Sequence, residues 1–283
     1  RIKITNNSDS NYKVLKYISD ILASENLEFW LEGGTALSAY RDGLIFKWEH
    51  DIDLAIWYND LPKLMSAINK FVSDGCKIRI QKGFPFIDNI IQLYLPQNIT
   101  GSNPHLNQID FYIYQQKDDF AYMRWFTSPS GKYSEKIKKF FFRHKRILLP
   151  AKHIYGKMSY FNLIIPKKIR FFYFKLFFHL YYKFGKCIYH IHPIKYFTKL
   201  KTINFYNIPF KIAYETENYL SHRYGPNWET PDSGFNSDFY KEKWKRIQAR
   251  KELKFSILKK PKIDFKLQMK YINHLPDHMN EVP

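Results

Sequence analysis

Two aspartates separated by one apolar residue, Asp51-Ile52-Asp53, open a run that alternates acid and apolar groups through Trp57. Side chains at i and i+2 of a strand leave the same face, so this pair can aim four carboxylate oxygens at one point. Hard divalent cations want such oxygens, and Mg²⁺ (or Mn²⁺) takes one or two carboxylates together with phosphate oxygens. Upstream lies Gly33-Gly34-Thr35, where glycine lets backbone approach a ligand closely and the amides opening the next helix favour an anion. A phosphate on that turn would sit within reach of a metal on the aspartates. A third carboxylate would complete the site, as a shared ligand or as the base that takes a proton from an incoming hydroxyl. Asp110 is the candidate, because in Gln108-Ile-Asp-Phe-Tyr-Ile-Tyr114 an acid at a largely apolar position needs a reason. An Asp-x-Asp alone is usually solvated surface, and a lone Gly-Gly-Thr says less. Their order, spacing and third acidic strand together read as a catalytic centre. No Walker A, Gly-x-Gly-x-x-Gly or Gly-x-Ser-x-Gly sequence competes with it.

These residues need elements to position them. Val14, Leu15, Ile18, Ile21 and Leu22 recur with helical period and predict a helix over 11–24. Leu27–Leu31 reads as a short strand ended by Glu32-Gly33-Gly34, and Thr35–Arg41 as a helix capped by Thr35 and closed near Gly43. Asp51–Trp57 is a strand, followed by a helix over 61–74 with Pro62 in its first turn. Further strands are predicted at 77–81, 90–95 and 108–114. Alternating helix and strand argue for a mixed α/β domain to about residue 125. Beyond it, helices are predicted over 135–148, 167–184, 210–223 and 244–254, with Gly225 stopping the third.

Charge divides the chain in two. It carries a formal +19, and from Lys136 to Lys201 there are 17 Lys or Arg and no Asp or Glu, leaving 28 basic and 26 acidic groups elsewhere. The same tract holds 18 aromatic residues, the composition of a helix lying in a membrane interface, and it would be drawn to an anionic membrane surface. A core-packing layer with solvated tips is the plainer reading, and nucleic acid or a polyanionic glycan a third. Vesicle flotation with and without anionic lipid separates them. Its stretch Phe171–Tyr182 is interrupted by Lys175 and His179 and is too short to span a bilayer. His144, His153, His179, His190 and His192 lack the carboxylate company of a metal site, while Lys145, Arg146 and Lys152 could line a phosphate groove. Cys76 and Cys187 give neither a disulfide framework nor a metal-binding spacing, and a reducing compartment fits. The first residue is Arg1, which leaves room for a trimmed leader or anchor.

The run Trp30-Leu-Glu-Gly-Gly-Thr-Ala-Leu-Ser-Ala-Tyr-Arg41 through Trp48-Glu-His-Asp-Ile-Asp53 resembles the LicD/fukutin family of the nucleotidyltransferase-like fold, with its Gly-Gly-Thr-Leu-Leu-Gly-Ala-x-Arg and Trp-Asp-Asp-Asp-Ile-Asp stretches. A second match lies downstream. Ile208-Pro-Phe210, Glu217-Asn-Tyr-Leu220, Arg223-Tyr-Gly-Pro-Asn-Trp228 and Pro231 are similar to the family's closing pattern. Here Glu49-His50 replaces Asp-Asp, removing one acidic contribution, and the Cys-rich zinc element of some animal members is missing.

The resemblance implies an α+β, nucleotidyltransferase-like core, a central mixed sheet flanked by helices, over residues 1–125. To it are added a basic aromatic helical region over 126–205 for membrane or acceptor docking and a C-terminal segment over 206–283 packing back on the core. It implies a Mg²⁺-dependent transfer of a phosphorylated alcohol from a CDP-activated donor to a hydroxyl of a glycan or glycolipid acceptor. In this reading Asp51, Asp53 and Asp110 are catalytic and hold the metal. Gly33, Gly34, Thr35 and Arg41 bind the donor phosphates, with Arg41 as readily a brace of the turn. Trp48, His50, Tyr224 and Trp228 line the substrate groove. The expected location is cytoplasmic, peripheral at the inner membrane face, or the Golgi lumen for a trimmed eukaryotic chain. The rival from the same fold adds a nucleotide to RNA, a protein or a small molecule, but Tyr224-Gly-Pro-Asn-Trp228 argues against it and nucleic acid is not the expected partner. A scaffold without chemistry would tolerate loss of Asp51 and Asp53.

Overall fold

The computed structural model describes residues 6–79, 90–101, 105–127 and 186–231. The helices expected over 135–148, 167–184 and 244–254, together with most of the basic tract, lie outside them. Helix α1 (Asn6–Ser24) buries Val14, Leu15, Ile18 and Leu22 completely, each contributing about 1.5–3 kcal/mol of transfer free energy. Strand β1 is short (Trp30–Leu31) and leads into α2 (Gly33–Arg41). Strand β2 (Asp51–Trp57) is buried along its middle, and α3 (Leu61–Ser73), with Pro62 in its first turn, turns Leu61, Leu64, Met65, Ile68 and Phe71 inward. Then come β3 (Lys77–Arg79), β4 (Ile91–Tyr94), the single turn α4 (Gln97–Thr100), β5 (Gln108–Lys117) and β6 (Phe120–Thr127).

Among the described residues the main sheet has seven strands and is mixed. Strands β1, β2, β5, β4 and β3 lie side by side in that order, with β6 added to the far end of β5 and β7 (Lys186–Pro193) to β6. Among the described strands only β2 and β5 pair in parallel, joined by a crossover that runs through α3 and the β3–β4 pair. Trp30, fully buried, fixes the core beside Trp57, Phe197 and Tyr114, with ring centroids 5.4, 5.2 and 6.1 Å away. This is the α+β architecture with a mixed central sheet that the sequence implies.

The chain after β7 departs from expectation. A one-turn helix α5 (Lys195–Thr198) leads into a hairpin of β8 (Leu200–Phe205) and β9 (Ile208–Ala213), and only then comes α6 (Thr216–Tyr224). The helix predicted over 210–223 is thus a strand for its first residues. Ile208, Phe210 and Ile212 are buried while Pro209 and Lys211 face out, a period of two that packing enforces. The two-residue turn has Tyr206 at φ 52° and Asn207 at φ 61°, the left-handed pair of a type I′ hairpin. Tyr206 is held there because its hydroxyl accepts from Asn11 Nδ2 at 3.1 Å and from the Ile45 amide at 3.2 Å. The expected stop at Gly225 is present: its φ is 99° and its amide donates to the Ser221 carbonyl at 2.9 Å.

Candidate active site

Pairing register gathers the acids. In the parallel β2–β5 pair Asp53 lies opposite Asp110 and Asp51 opposite Gln108, while antiparallel β4 sets Gln92 opposite Asp110. Residues directly paired across strands share a face, as do i and i+2 along one strand. All five side chains therefore meet at one end of the sheet, and oxygens of Asp51, Asp53 and Asp110 lie within 4.8 Å of one another. Asp53 is 7% exposed and Asp110 5%. Gln92 Nε2 donates to both oxygens of Asp110, at 3.1 and 2.9 Å, and Gln108 Nε2 donates to Oδ1 at 2.7 Å. The amides fix that carboxylate's plane without neutralising it.

Asp53 is tied to the glycine turn by both its backbone and its side chain. Its amide donates to Thr35 Oγ1 at 2.8 Å, and its Oδ2 accepts from the Gly34 amide at 3.0 Å. The expectation that Thr35 caps its helix is therefore corrected: α2 starts at Gly33, the N-cap is Glu32 with no side-chain cap, and Thr35 serves strand β2 instead. Gly33 has φ +54°, a conformation that glycine adopts without strain, and a Cβ there would overlap Asp53 Oδ2. The turn and the aspartate are built against each other.

Burial above all, then the charges of Asp51 and Asp110, push the Asp53 carboxyl up to about 8, against the pull of Arg223 and the Gly34 amide. Burial also raises Asp110 to about 6, opposed by the Gln92 hydrogen bond. Two buried carboxyls that resist ionisation this strongly, facing a third, form a set of hard oxygens whose charge a divalent cation would neutralise. These oxygens are the kind of donor set that a hard divalent cation takes. A testable consequence follows for the protein stripped of divalent cations. An unfolded Asp releases its proton near pH 3.9, whereas folded Asp53 holds its own to about 8, so this contribution to stability falls as pH rises between those values. The melting temperature in EDTA should decline from pH 5 to pH 8, and Mg²⁺ should restore it most at the alkaline end. A slope unchanged by Asp53→Asn would contradict the coupling.

The remaining candidates divide. Trp48 is 72% exposed and stacked on Phe46 at 5.0 Å, on the loop that enters β2. His50 is exposed, with Nε2 at 3.7 Å from Asp51 Oδ2, and Glu49, His50 and Asp51 form a second group of ligating atoms within 4.8 Å of one another. Arg41 pairs with Asp42 at 2.9 Å, donates to the Trp228 carbonyl at 3.2 Å and covers the Phe46 ring. Trp228 lies over Tyr40 at the end of α2, with centroids 6.0 Å apart. Tyr224 neighbours Arg223, whose guanidinium is 5.7 Å from its ring. His190 and His192 are buried on β7, and the His192 ring packs among Tyr114, Phe197, Tyr219 and His222.

Sequence reasoning passed over a buried network behind the turn. Glu32 is fully buried, and its Oε1 accepts from Tyr114 Oη at 3.0 Å, from Tyr219 Oη at 2.6 Å and from Arg223 Nη1. Arg223 also donates to Tyr219 Oη at 3.2 Å. The available signal was an acid closing an apolar strand directly before two glycines.

Residues 26–152 match the nucleotidyltransferase domain of LicD/FKTN/FKRP proteins, which bears out the resemblance drawn from the Gly-Gly-Thr and Asp-Ile-Asp runs. A 46-residue stretch is 39% identical to the ribitol 5-phosphate transferases FKRP of Mus musculus and Homo sapiens. It covers 16% of this chain and only 9% of theirs. An uncharacterized protein of Rickettsia prowazekii is 27% identical over 75 residues, 26% of this chain and 28% of that protein.

Proposed function

We propose that this chain, whose residues 26–152 match the LicD-type nucleotidyltransferase domain, transfers a phosphorylated alcohol from a CDP-activated donor to a glycan hydroxyl and releases CMP. The observation that carries this reading is the convergence of Asp51, Asp53 and Asp110 beside the Gly33-Gly34 turn. The ribitol 5-phosphate transferase among its relatives, similar over a small part of its length, supports a phosphorylated alcohol as the group transferred.

In this reading Asp51, Asp53 and Asp110 would hold Mg²⁺. When bound, the cation supplies Lewis-acid stabilisation of charge on the phosphoryl oxygens. The protein's own part is positioning and proton handling. Gly34 and Thr35 orient Asp53 through their two hydrogen bonds, and Gln92 and Gln108 orient Asp110. The acceptor oxygen forms a bond to the distal phosphorus as the bond from that phosphorus to CMP breaks. The proton of the acceptor hydroxyl passes to an Asp110 oxygen that the cation does not engage. The exposed Trp48 and His50 lie on the approach to Asp51 and would meet donor or acceptor there. We place the enzyme at a membrane face through its basic tract, for which salt-sensitive flotation with anionic vesicles is the measure.

Purified protein incubated with CDP-choline, CDP-ribitol, CDP-glycerol and CDP-ethanolamine should release CMP from one of them with Mg²⁺ and none with EDTA. Absence of release from every donor in the presence of glycan acceptor, with pyrophosphate release from a nucleoside triphosphate instead, would replace this reading by nucleotidyl transfer.

A further inference from the structure

The acidic end of the sheet is finished by a residue far outside the matched segment. Arg223 sits in the last turn of α6, and its side chain is 4% exposed against a fully buried Glu32 side chain. Glu32 is the residue immediately before the Gly33-Gly34 turn, and its amide donates to the Asp53 carbonyl at 3.0 Å. The same guanidinium reaches forward: a Cβ built on Gly33 would lie 3.0 Å from Arg223 Nη2 as well as overlapping Asp53 Oδ2. Tyr219, one turn earlier on α6, completes the arrangement, accepting from the Gly33 amide at 3.4 Å while donating to Glu32. Helix α6 thus touches the turn through two side chains, one on its amide and one against its Cα.

A buried Arg and a buried Glu are expensive to desolvate, and such a pair is weak evidence for a gain in stability. Here each has a buried side-chain atom, Arg223 Nε and Glu32 Oε2, without a hydrogen-bond partner. An arrangement selected only to stabilise the fold would be better satisfied or apolar. What the pair does achieve is geometric. It fixes the backbone at Glu32 and Gly33 from behind, so that Gly34 can present its amide to Asp53 and the turn can face the acidic trio.

We propose that Arg223, clamped by Glu32 and Tyr219, is a positioning residue of the transfer site, holding the glycine turn in register with Asp53. The proposal rests on the phosphotransferase reading for its kinetic consequence and on the hydrogen-bond network alone for its structural one. Two readouts in the full chain keep these apart. The first is amide hydrogen exchange across Gly33 and Gly34; the second is Mg²⁺-dependent CMP release from whichever CDP-alcohol the wild type uses.

Arg223→Ala should accelerate exchange at the turn by about tenfold or more while α3 remains protected. Because a displacement of about 1 Å can cost about 100-fold in rate, kcat should fall by that order, with KM staying within about threefold. Added guanidinium should recover part of both losses. Arg223→Lys should remain impaired, since an ammonium lacks the planar fork that reaches Glu32 and Tyr219 together. Unchanged exchange at the turn, or a rate loss that guanidinium does not relieve, overturns the proposal. Should Arg223→Ala fail to fold, Tyr219→Phe decides in the same two readouts, because it keeps the ring and removes the hydroxyl that accepts from Arg223 and Gly33 and donates to Glu32, which loosens the clamp on the guanidinium. Wild-type protein that releases no CMP would defeat the phosphotransferase reading, and the exchange measurement would still decide the role of Arg223.

Discussion

Asp53→Asn is expected to lower CMP release by about 1,000-fold or more while raising the melting temperature of the cation-free protein, an opposite pair of effects that a merely structural aspartate would not give. The substitution is nearly isosteric. The Asn carbonyl oxygen can still accept from the Gly34 amide, and the backbone amide still reaches Thr35, the two hydrogen bonds that tie this residue to the turn. What disappears is an anion that burial and two neighbouring carboxylates hold up to about 8. Above neutral pH the wild type carries the electrostatic cost of ionising it, and the amide does not. Mg²⁺ should then stabilise the wild type more than the variant, since binding to the native state adds stability in proportion to affinity. Asp51→Asn, at a half-buried position, should lose activity comparably with a smaller change in melting temperature. Near-normal turnover in either variant would remove the acidic trio from the chemistry.

Gly33→Ala should be the most damaging glycine-to-alanine change among the described glycines. Position 33 has φ +54°, its added Cβ would collide with Asp53 Oδ2, and Arg223 Nη2 stands 3.0 Å away on the other side. Left-handed strain and overpacking each cost about 1–3 kcal/mol. Neither neighbour can yield without cost, because the carboxylate is held by Gly34 and the guanidinium by Glu32 and Tyr219. Gly34→Ala is the matched control: there the nearest atom is Glu49 Oε2 at 3.1 Å, the end of a flexible side chain that can move. Chemical denaturation should therefore show a loss of several kcal/mol for the first variant and well under half of it for the second. Equal effects would mean that the turn is more pliable than its contacts imply.

Much of the acidic site is legible in the linear sequence, for a physical reason. Asp53 and Asp110 stand inside apolar strands with Asp51 at the head of one, and an acid so placed needs a partner, a cation or a proton to offset its burial. Spacing alone puts the first two on one face. That Asp110 lies opposite Asp53 depends on parallel register, which only the packed sheet specifies. Helices α1 and α3 follow from period because one face of each meets the core. The hairpin of β8 and β9 did not, since Tyr206-Asn207 lacks the glycine that usually announces such a turn, and tertiary hydrogen bonds to Asn11 and Ile45 replace that local signal. Thr35 reads as a cap because threonine commonly is one, yet its hydroxyl is taken by the Asp53 amide. Glu32 and Arg223 were missed because charged residues in a sequence look like surface, and their burial depends on each other and on the Tyr114 and Tyr219 hydroxyls that only the fold brings to them.

That mutual dependence has a temporal side. A ribosome that has reached Ala213 has already made every carboxylate of the site, together with Glu32, but not the guanidinium that allows Glu32 to be dry. Until α6 emerges and docks, the acidic end of the sheet is a nascent structure with a charge it cannot bury, and its closure waits on the synthesis of α6 instead of accompanying that of the strands.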